Sequence, residues 1–338
     1  MKKVKVEEAL GMKLCHDITA MREGFKGAAF KRGHVIREED IPLLLNIGKR
    51  HVYIWEDTAG EIHEEEAAKR MAEMIGLENA HYGPPKEGKI VLTSGISGLY
   101  RVNTKLLKKI NSIEDITIAT LPDHYPVKKG TKVASMRIIP LVTKEENILA
   151  AEKLCRKERL LKILPYRQRR IGVIITGSEI YTGRIEDRFE PVVRSKVLQY
   201  PADIIGVSVC DDDIAMIDEQ AKELLKRGAD LLIFAGGMSV DPDDVTPAAI
   251  EALGADIISY GVPAQPGNMT LAAYLGDTAI LGVPGAAISL PTTMFDVLLP
   301  QMFTDEKLTR EDLVRLGEGG LCQRCRRCHF PNCTFGRY

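Results

Sequence analysis

The sequence predicts an α/β protein whose second half is an open, three-layer, doubly wound and mainly parallel sheet, preceded by a smaller β-rich module and an α+β module. Three observations predict it. From Arg170 onward, continuous aliphatic runs such as Ile171–Ile175 and Asp230–Ala235 alternate with helical patterns, which marks strands buried on both faces. Residues 4–55 carry short apolar runs and turn glycines (Gly11, Gly24, Gly27, Gly33) around a single helical stretch. Finally, 338 residues at roughly 150 per domain ask for about two cores. The reading divides the chain into residues 1–60 (β-rich), 61–168 (α+β), 169–304 (α/β) and 305–338 (a tail).

In the β-rich module Glu38–Ile47 has helical spacing and Val52–Trp55 reads as a closing strand. Glu61–Gly76 follows as a helix, with carboxylates in its first turns, apolar residues at helical intervals and a glycine stop. The α+β module then reads as strand Lys89–Thr93, helix Thr104–Ile110, strands Ile116–Leu121 and Lys132–Leu141, and helix Glu145–Arg156. The basic stretch Arg156–Arg170 reads as a solvated linker. In the α/β module the strands are Ile171–Ile175, Asp203–Val209, Asp230–Ala235, Asp256–Tyr260 and Thr278–Gly282. Its helices are Val192–Tyr200, Ala215–Arg227, Pro247–Leu253 and Ala286–Phe303.

Composition excludes several classes. With 46 Lys+Arg against 47 Asp+Glu, 45% hydrophobic and 28% charged residues, the chain is neither disordered nor a dedicated nucleic-acid or membrane-surface binder, since such binding needs a net basic face. No apolar run reaches the roughly 18 residues that span a bilayer. The basic start is followed by Glu7 and Glu8 rather than an apolar core, so a cytoplasmic location is expected. There the seven cysteines should be reduced.

In an open α/β sheet ligands bind beyond the carboxyl ends of the strands. Those ends carry the most distinctive residues here: Thr176-Gly177-Ser178-Glu179 with Asp187, then Asp211-Asp212, then Gly236-Gly237-Met238-Ser239 with Asp241, Asp243 and Asp244, then Pro266-Gly267, then Pro284-Gly285. Paired glycines let backbone N–H groups approach a phosphate, and hydroxyls complete the cradle. Carboxylates beside a phosphate call for a bridging cation, for which Mg2+ with retained waters is suited. The plainer reading of each loop is turn and cap chemistry. Convergence of five such loops on one sheet edge favours the site.

These residues also carry a resemblance. Gly236–Asp244 resembles the GGxSxGxxD loop of the molybdenum cofactor biosynthesis domain, found in molybdopterin molybdenumtransferases and the E domain of gephyrin. Thr176–Glu179 is similar to that domain's TGDE loop, Asp211-Asp212 to its DD pair, Pro266-Gly267 to PGKP and Val283-Pro284-Gly285 to LPGNP, in the family's order over Arg170–Phe303. The resemblance implies a molybdopterin-binding fold that takes molybdopterin or its adenylylated form, with Mg2+ and molybdate taking part in molybdate insertion and AMP release.

Carried over residue by residue, Gly236, Gly237 and Ser239 bind phosphate, and Asp244 positions cation or water. Glu179, Asp187, Asp211 and Asp212 support them; Thr176, Gly177, Ser178, Pro266, Gly267, Pro284 and Gly285 complete the binding loops. The family also implies a homodimer and a molybdoenzyme acceptor. The sequence departs from the pattern at Ser178 (an acid in the family), at Gln265 and Asn268 (lysines) and at Ala286-Ala287 (Asn-Pro). The lost cations favour a second reading, a non-catalytic molybdopterin carrier; an ATP-dependent adenylyltransferase is a third.

The tail holds Cys322-x2-Cys325-x2-Cys328-x4-Cys333 with His329 among four arginines, after Gly317, Gly319 and Gly320, which read as a flexible hinge. The spacing suits a Zn2+ or Fe–S site, against an oxidisable tail as the plainer alternative. Cys15-His16-Asp17 reads as an incidental cluster, as do His51, His63 and His81, and Cys210 as a buried apolar group.

Overall fold

The structure is a computed structural model that describes residues 1–22, 25–56 and 58–337; the turn residue Gly24 lies outside the described residues. The chain divides into two compact units. One comprises Met1–Gly95, Val102–Leu121 and Gly130–Lys162, the other Ile96–Arg101, Pro122–Lys129 and Ile163–Tyr338. No helix of the described residues is long and apolar enough to cross a membrane.

In the first unit Lys2–Lys5 pairs antiparallel with His51–Ile54, and Ile18–Arg22 with Phe25–Phe30. Val4, Val6, Leu14, Ile36, Leu44 and Val52 fill a small core between them. The helix expected from Glu61 starts three residues later, as Glu64–Ile75, because Glu61–His63 pairs as a strand with Val142–Lys144. The His63 ring accepts the Glu65 N–H and so caps that helix. Ala80–His81, Ile90–Ser94, Lys132–Ile138 and Ile116–Thr120 form a four-stranded sheet; the last three are close to the expected strands, and Ala80–His81 is an addition to them.

The second unit is the α/β layer structure. Its strands are β1 (Arg169–Thr176), β2 (Ala202–Cys210), β3 (Leu231–Ala235), β4 (Asp256–Tyr260), β5 (Leu271–Leu275) and β6 (Thr278–Val283), in the spatial order β2-β1-β3-β6-β5-β4. β1 runs parallel to β2 and β3, and β3 to β6, whereas β5 is antiparallel to both β4 and β6. β5 is the strand that sequence reading omits. Its small residues Ala272 and Ala273 give no long aliphatic signal, and it forms by folding back from the Pro266-Gly267 turn.

The helices are α1 (Ser178–Tyr181), α2 (Phe189–Val197), α3 (Ile214–Lys226), α4 (Thr246–Ala252), α5 (Met294–Met302) and α6 (Arg310–Val314). Alternate residues of the central strands feed two cores. Ile171, Val173, Ile175, Ile233 and Leu281 pack with α2 and α5, while Ile174, Leu232, Phe234 and Ile280 pack with α3 and α4. Strands buried on both faces by helices are why the sequence reads as continuous aliphatic runs.

Three expectations are corrected. The run Ala286–Phe303 is not one helix: Gly285–Ile288 is a single 3-10 turn, and α5 starts only at Met294, after Pro291, with Thr293 and Asp296 forming a reciprocal cap. Arg156–Arg170 is not all linker, since it contains the strand Leu161–Pro165 and the start of β1. Arg169 is buried there and donates to the carbonyls of Met302 and Thr304, satisfying the end of α5.

The third concerns the tail. Its glycines are packed rather than a hinge: a Cβ on Gly320 would lie 2.2 Å from the Leu316 carbonyl oxygen, and one on Gly319 2.2 Å from that of Arg337. Gly320 O accepts Gln265 N–H at 2.7 Å and Cys322 N–H donates to Gln265 O at 2.8 Å, so the tail lies against the loop that follows β4. Phe335 is in the same core as β1 and β3. Gly320→Ala should therefore lower stability by about 1–3 kcal/mol through overpacking, seen as a lower urea midpoint; a wild-type midpoint would contradict the packed-tail description.

Candidate functional site

β4 runs antiparallel to β5, and β5 to β6, so the carboxyl end of β4 lies on the same sheet edge as those of β1, β2, β3 and β6. All five loops singled out in the sequence leave from that edge. The loops after β1, β2 and β3 are also bonded to one another or to a neighbouring strand end.

The central contact is where Gly236-Gly237 crosses the end of β1. A Cβ on Gly236 would stand 2.0 Å from the Thr176 carbonyl oxygen, and one on Gly237 2.6 Å from Thr246 Oγ1; both glycines have positive φ. Only glycine fits such an approach. Thr246 Oγ1 donates to Gly236 O at 3.0 Å, which leaves it to accept the Thr176 hydroxyl at 2.9 Å. Tyr260, at the end of β4, donates to Ser239 O at 2.9 Å and holds the far side of the same loop. Thr246 and Tyr260 were missed in the sequence. Their signal was positional, since Thr246 opens a helix before Pro247 and Tyr260 ends a strand.

Beyond the glycines the chain forms an anion nest. One Asp244 oxygen accepts the backbone N–H groups of Ser239 at 3.0 Å and Asp241 at 3.1 Å. Converging N–H groups of this kind bind oxyanions. Asp244 thus occupies the position of an anion and organises the donors around it.

The loop after β1 closes similarly. Ser178 N–H donates to Asp212 at 2.8 Å and its hydroxyl to Asp211 at 2.6 Å, while Asp212 N–H also reaches Asp211 at 2.9 Å. The Ser178 hydroxyl, followed by the Asp212 N–H, holds the Asp211 carboxyl below the usual aspartate range. A serine here keeps a third carboxylate away from the pair. Because the Asp211 pKa is lowered, the bond is present at neutral pH and lost as pH falls through the lowered value.

The other assigned residues are arranged as follows. Asp187 accepts the N–H groups of Phe189 at 2.7 Å and Glu190 at 2.9 Å and so caps α2, and exposed Glu179 folds back near Gly177. Gly267 O accepts Thr270 N–H at 3.1 Å and Pro266 O accepts Met294 N–H at 3.1 Å, joining the loop after β4 to α5. Pro284 is buried and Gly285 exposed at the end of β6, and Gln265 and Asn268 are exposed.

The four tail thiols are not gathered. Among the described residues no three His, Cys, Asp or Glu side chains form a metal-holding group. Cys322 and Cys333 pack against the core, Cys325 is exposed, and exposed Cys328 meets Thr292 Oγ1 at 3.1 Å. Packing of the tail on the core separates side chains that their spacing would allow to converge.

Such an edge, with a glycine crossing, an anion nest and a carboxylate pair, lies where open α/β sheets bind their ligands, beyond the carboxyl ends of the strands. Residues 172–304 match the family model described as "Probable molybdopterin binding domain", and residues 3–56 match a "Domain of unknown function (DUF8806)". Residues 172–304 are thus similar to the molybdopterin-binding domain that this family model describes.

A CinA-like protein of Mycobacterium sp. (strain JLS) is 35% identical over 81 residues, which is 24% of this chain and 19% of that protein. A CinA-like protein of Mycobacterium tuberculosis (strain ATCC 25618 / H37Rv) is 34% identical over 77 residues, 23% of this chain and 18% of its own. The chain therefore spans only about a fifth of these curated relatives. Among solved structures, the molybdopterin biosynthesis enzyme MoaB of Thermus thermophilus aligns at 20% identity and a TM-score of 0.32, over 39% of this chain and 90% of that one. The tungsten cofactor synthesizing protein MoaB of Pyrococcus furiosus aligns at 17% identity and 0.33, over 40% and 91%.

Two outcomes are expected. Ser178→Ala should raise the Asp211 pKa toward the ordinary value, measurable by carboxyl carbon NMR titration; unchanged titration would contradict the hydroxyl's role. Gly236→Ala should destabilise the domain by about 1–3 kcal/mol and disorder residues 236–246 in amide exchange, and wild-type exchange there would contradict the described crossing.

Proposed function

We propose that residues 169–304 bind molybdopterin or its adenylylated form by the phosphate end, and that the protein inserts molybdate with release of AMP in a Mg2+-dependent step. The observation that carries this reading is the nest of Ser239 and Asp241 N–H groups beside the Gly236-Gly237 crossing, a preformed receptor for an oxyanion. A ligand phosphate at the nest takes the place held by Asp244. The displaced carboxylate is then free to position a cation or a water at the adenylyl phosphate.

Mg2+ binds through one or two carboxylates and completes its shell with waters and substrate phosphates. Asp211 and Asp212 are a donor set of that size, and Asp211 is kept ionised by Ser178. When bound, the cation would offset charge on the leaving AMP; the chain's own part is to hold the phosphates in line through fixed N–H groups and hydroxyls. Thr176 and Thr246 keep those groups fixed.

The exposed, neutral Gln265 and Asn268 favour a second reading, a carrier that binds the pterin and hands it to a molybdoenzyme, because a neutral amide does not replace a cation against phosphate or molybdate. One experiment separates the two. Single-turnover AMP release from adenylylated molybdopterin, with Mg2+ and molybdate, should proceed in the wild type and fall at least 100-fold in Asp244→Asn, whose amide oxygen still accepts the Ser239 and Asp241 N–H groups. Tight binding without AMP release from the wild type would leave the carrier.

A further inference from the structure

A large cavity of the second unit lies away from the glycine loops. Its volume is about 1340 Å3, and it is bounded by α2, the segment Ala287–Thr292, the residues before β1 and β2, and the tail. None of the residues assigned to the phosphate site on the β1, β2 and β3 loops lines it. One wall is aromatic: Tyr166 meets Tyr200 edge-on at 5.1 Å, and Tyr200 is backed by the buried Phe303, on which it stacks at 4.8 Å. The charged groups in the lining are Lys128, Lys196 and Asp296, of which Lys196 and Asp296 pair with each other.

An unusual group lies against Phe330, one of the lining residues. Arg337 is only 8% exposed. Its Nη1 donates to the carbonyls of His124 and Gly336, and its guanidinium lies over the rings of Tyr125 and Phe330 at 4.8 and 5.2 Å. Nε and Nη2 are buried and have no hydrogen-bond partner, and among the described residues no carboxylate pairs with the charge. The Tyr166 hydroxyl is likewise buried without a partner. A buried guanidinium that lacks an anion costs several kcal/mol, as a rule, and native structures seldom keep one. Of the two rings it lies against, Phe330 lines the cavity and is half-buried in the tail.

We propose that this cavity binds a small organic anion, its carboxylate or phosphate group received by Arg337 Nε and Nη2 together with the Tyr166 hydroxyl, and its body lying against Tyr200 and Phe330. The Phe330 ring turns aside to admit the anionic group. This is a second ligand site, independent of the nest at Ser239 and Asp241. A forked guanidinium with two donors on one side suits a planar carboxylate or a phosphate equally.

The test follows the Arg337 Nε–Hε cross-peak by NMR in the full chain, assigned by its loss in Arg337→Lys, during titration with inorganic phosphate and, separately, acetate. At least one probe should shift it saturably, with a dissociation constant raised tenfold or more in Tyr166→Phe, which preserves the ring packing. Response to phosphate alone or to acetate alone identifies the anionic group of the ligand. The proposal is overturned if neither probe moves the peak, or if Tyr166→Phe binds as well as the wild type. Asp244→Asn should leave the titration unchanged; its loss there would assign the response to the nest and reject a separate site.

Discussion

The candidate ligand edge depends on one close approach, the passage of Gly236-Gly237 over the last residue of β1. With the Thr176 carbonyl 2.0 Å from where a side chain would begin, the loop after β3 can lie down on the sheet edge only if it carries no Cβ. Once there, its backbone meets Thr246 and its tip meets Tyr260, so three strand ends become one rigid unit. The nest at Ser239 and Asp241 exists because that unit fixes where its N–H groups point.

The same edge shows how carboxylates serve before any ligand arrives. Asp244 and Asp212 occupy backbone N–H groups, Asp187 caps a helix, and Asp211 is held ionised by a serine. The converging N–H groups of Ser239 and Asp241 are exposed, and an internal carboxylate takes the place that water would otherwise fill. In the proposed function, binding a phosphate would exchange one anion for another and would place the released carboxylate beside the phosphate, where a cation is needed.

Much of this was legible in the sequence, for physical reasons that can be named. Strands buried on both faces must be aliphatic throughout, which made Ile171–Ile175 and Leu231–Ala235 plain, and their order predicted which loops share an edge. β5 was hidden because Ala272 and Ala273 are small residues packed under both layers, without the branched side chains that announce a strand. The break at Pro291 was hidden inside an apolar run. In the tail, cysteine spacing suggested convergence and the glycines a hinge. Neither pattern reports the backbone contacts with Gln265 and Arg337 that pin the tail down. Arg337 could not be singled out at all, since nothing local distinguishes a buried arginine from a solvated one.

The central claim, that the five strand-end loops form the receptor for the pterin phosphate, is tested most directly by hydrogen–deuterium exchange with and without adenylylated molybdopterin. Slowed exchange confined to residues 176–182 and 236–246, with residues 211–213 following when Mg2+ is added, is the predicted result. Binding accompanied by slowed exchange elsewhere, with those loops unchanged, would contradict it.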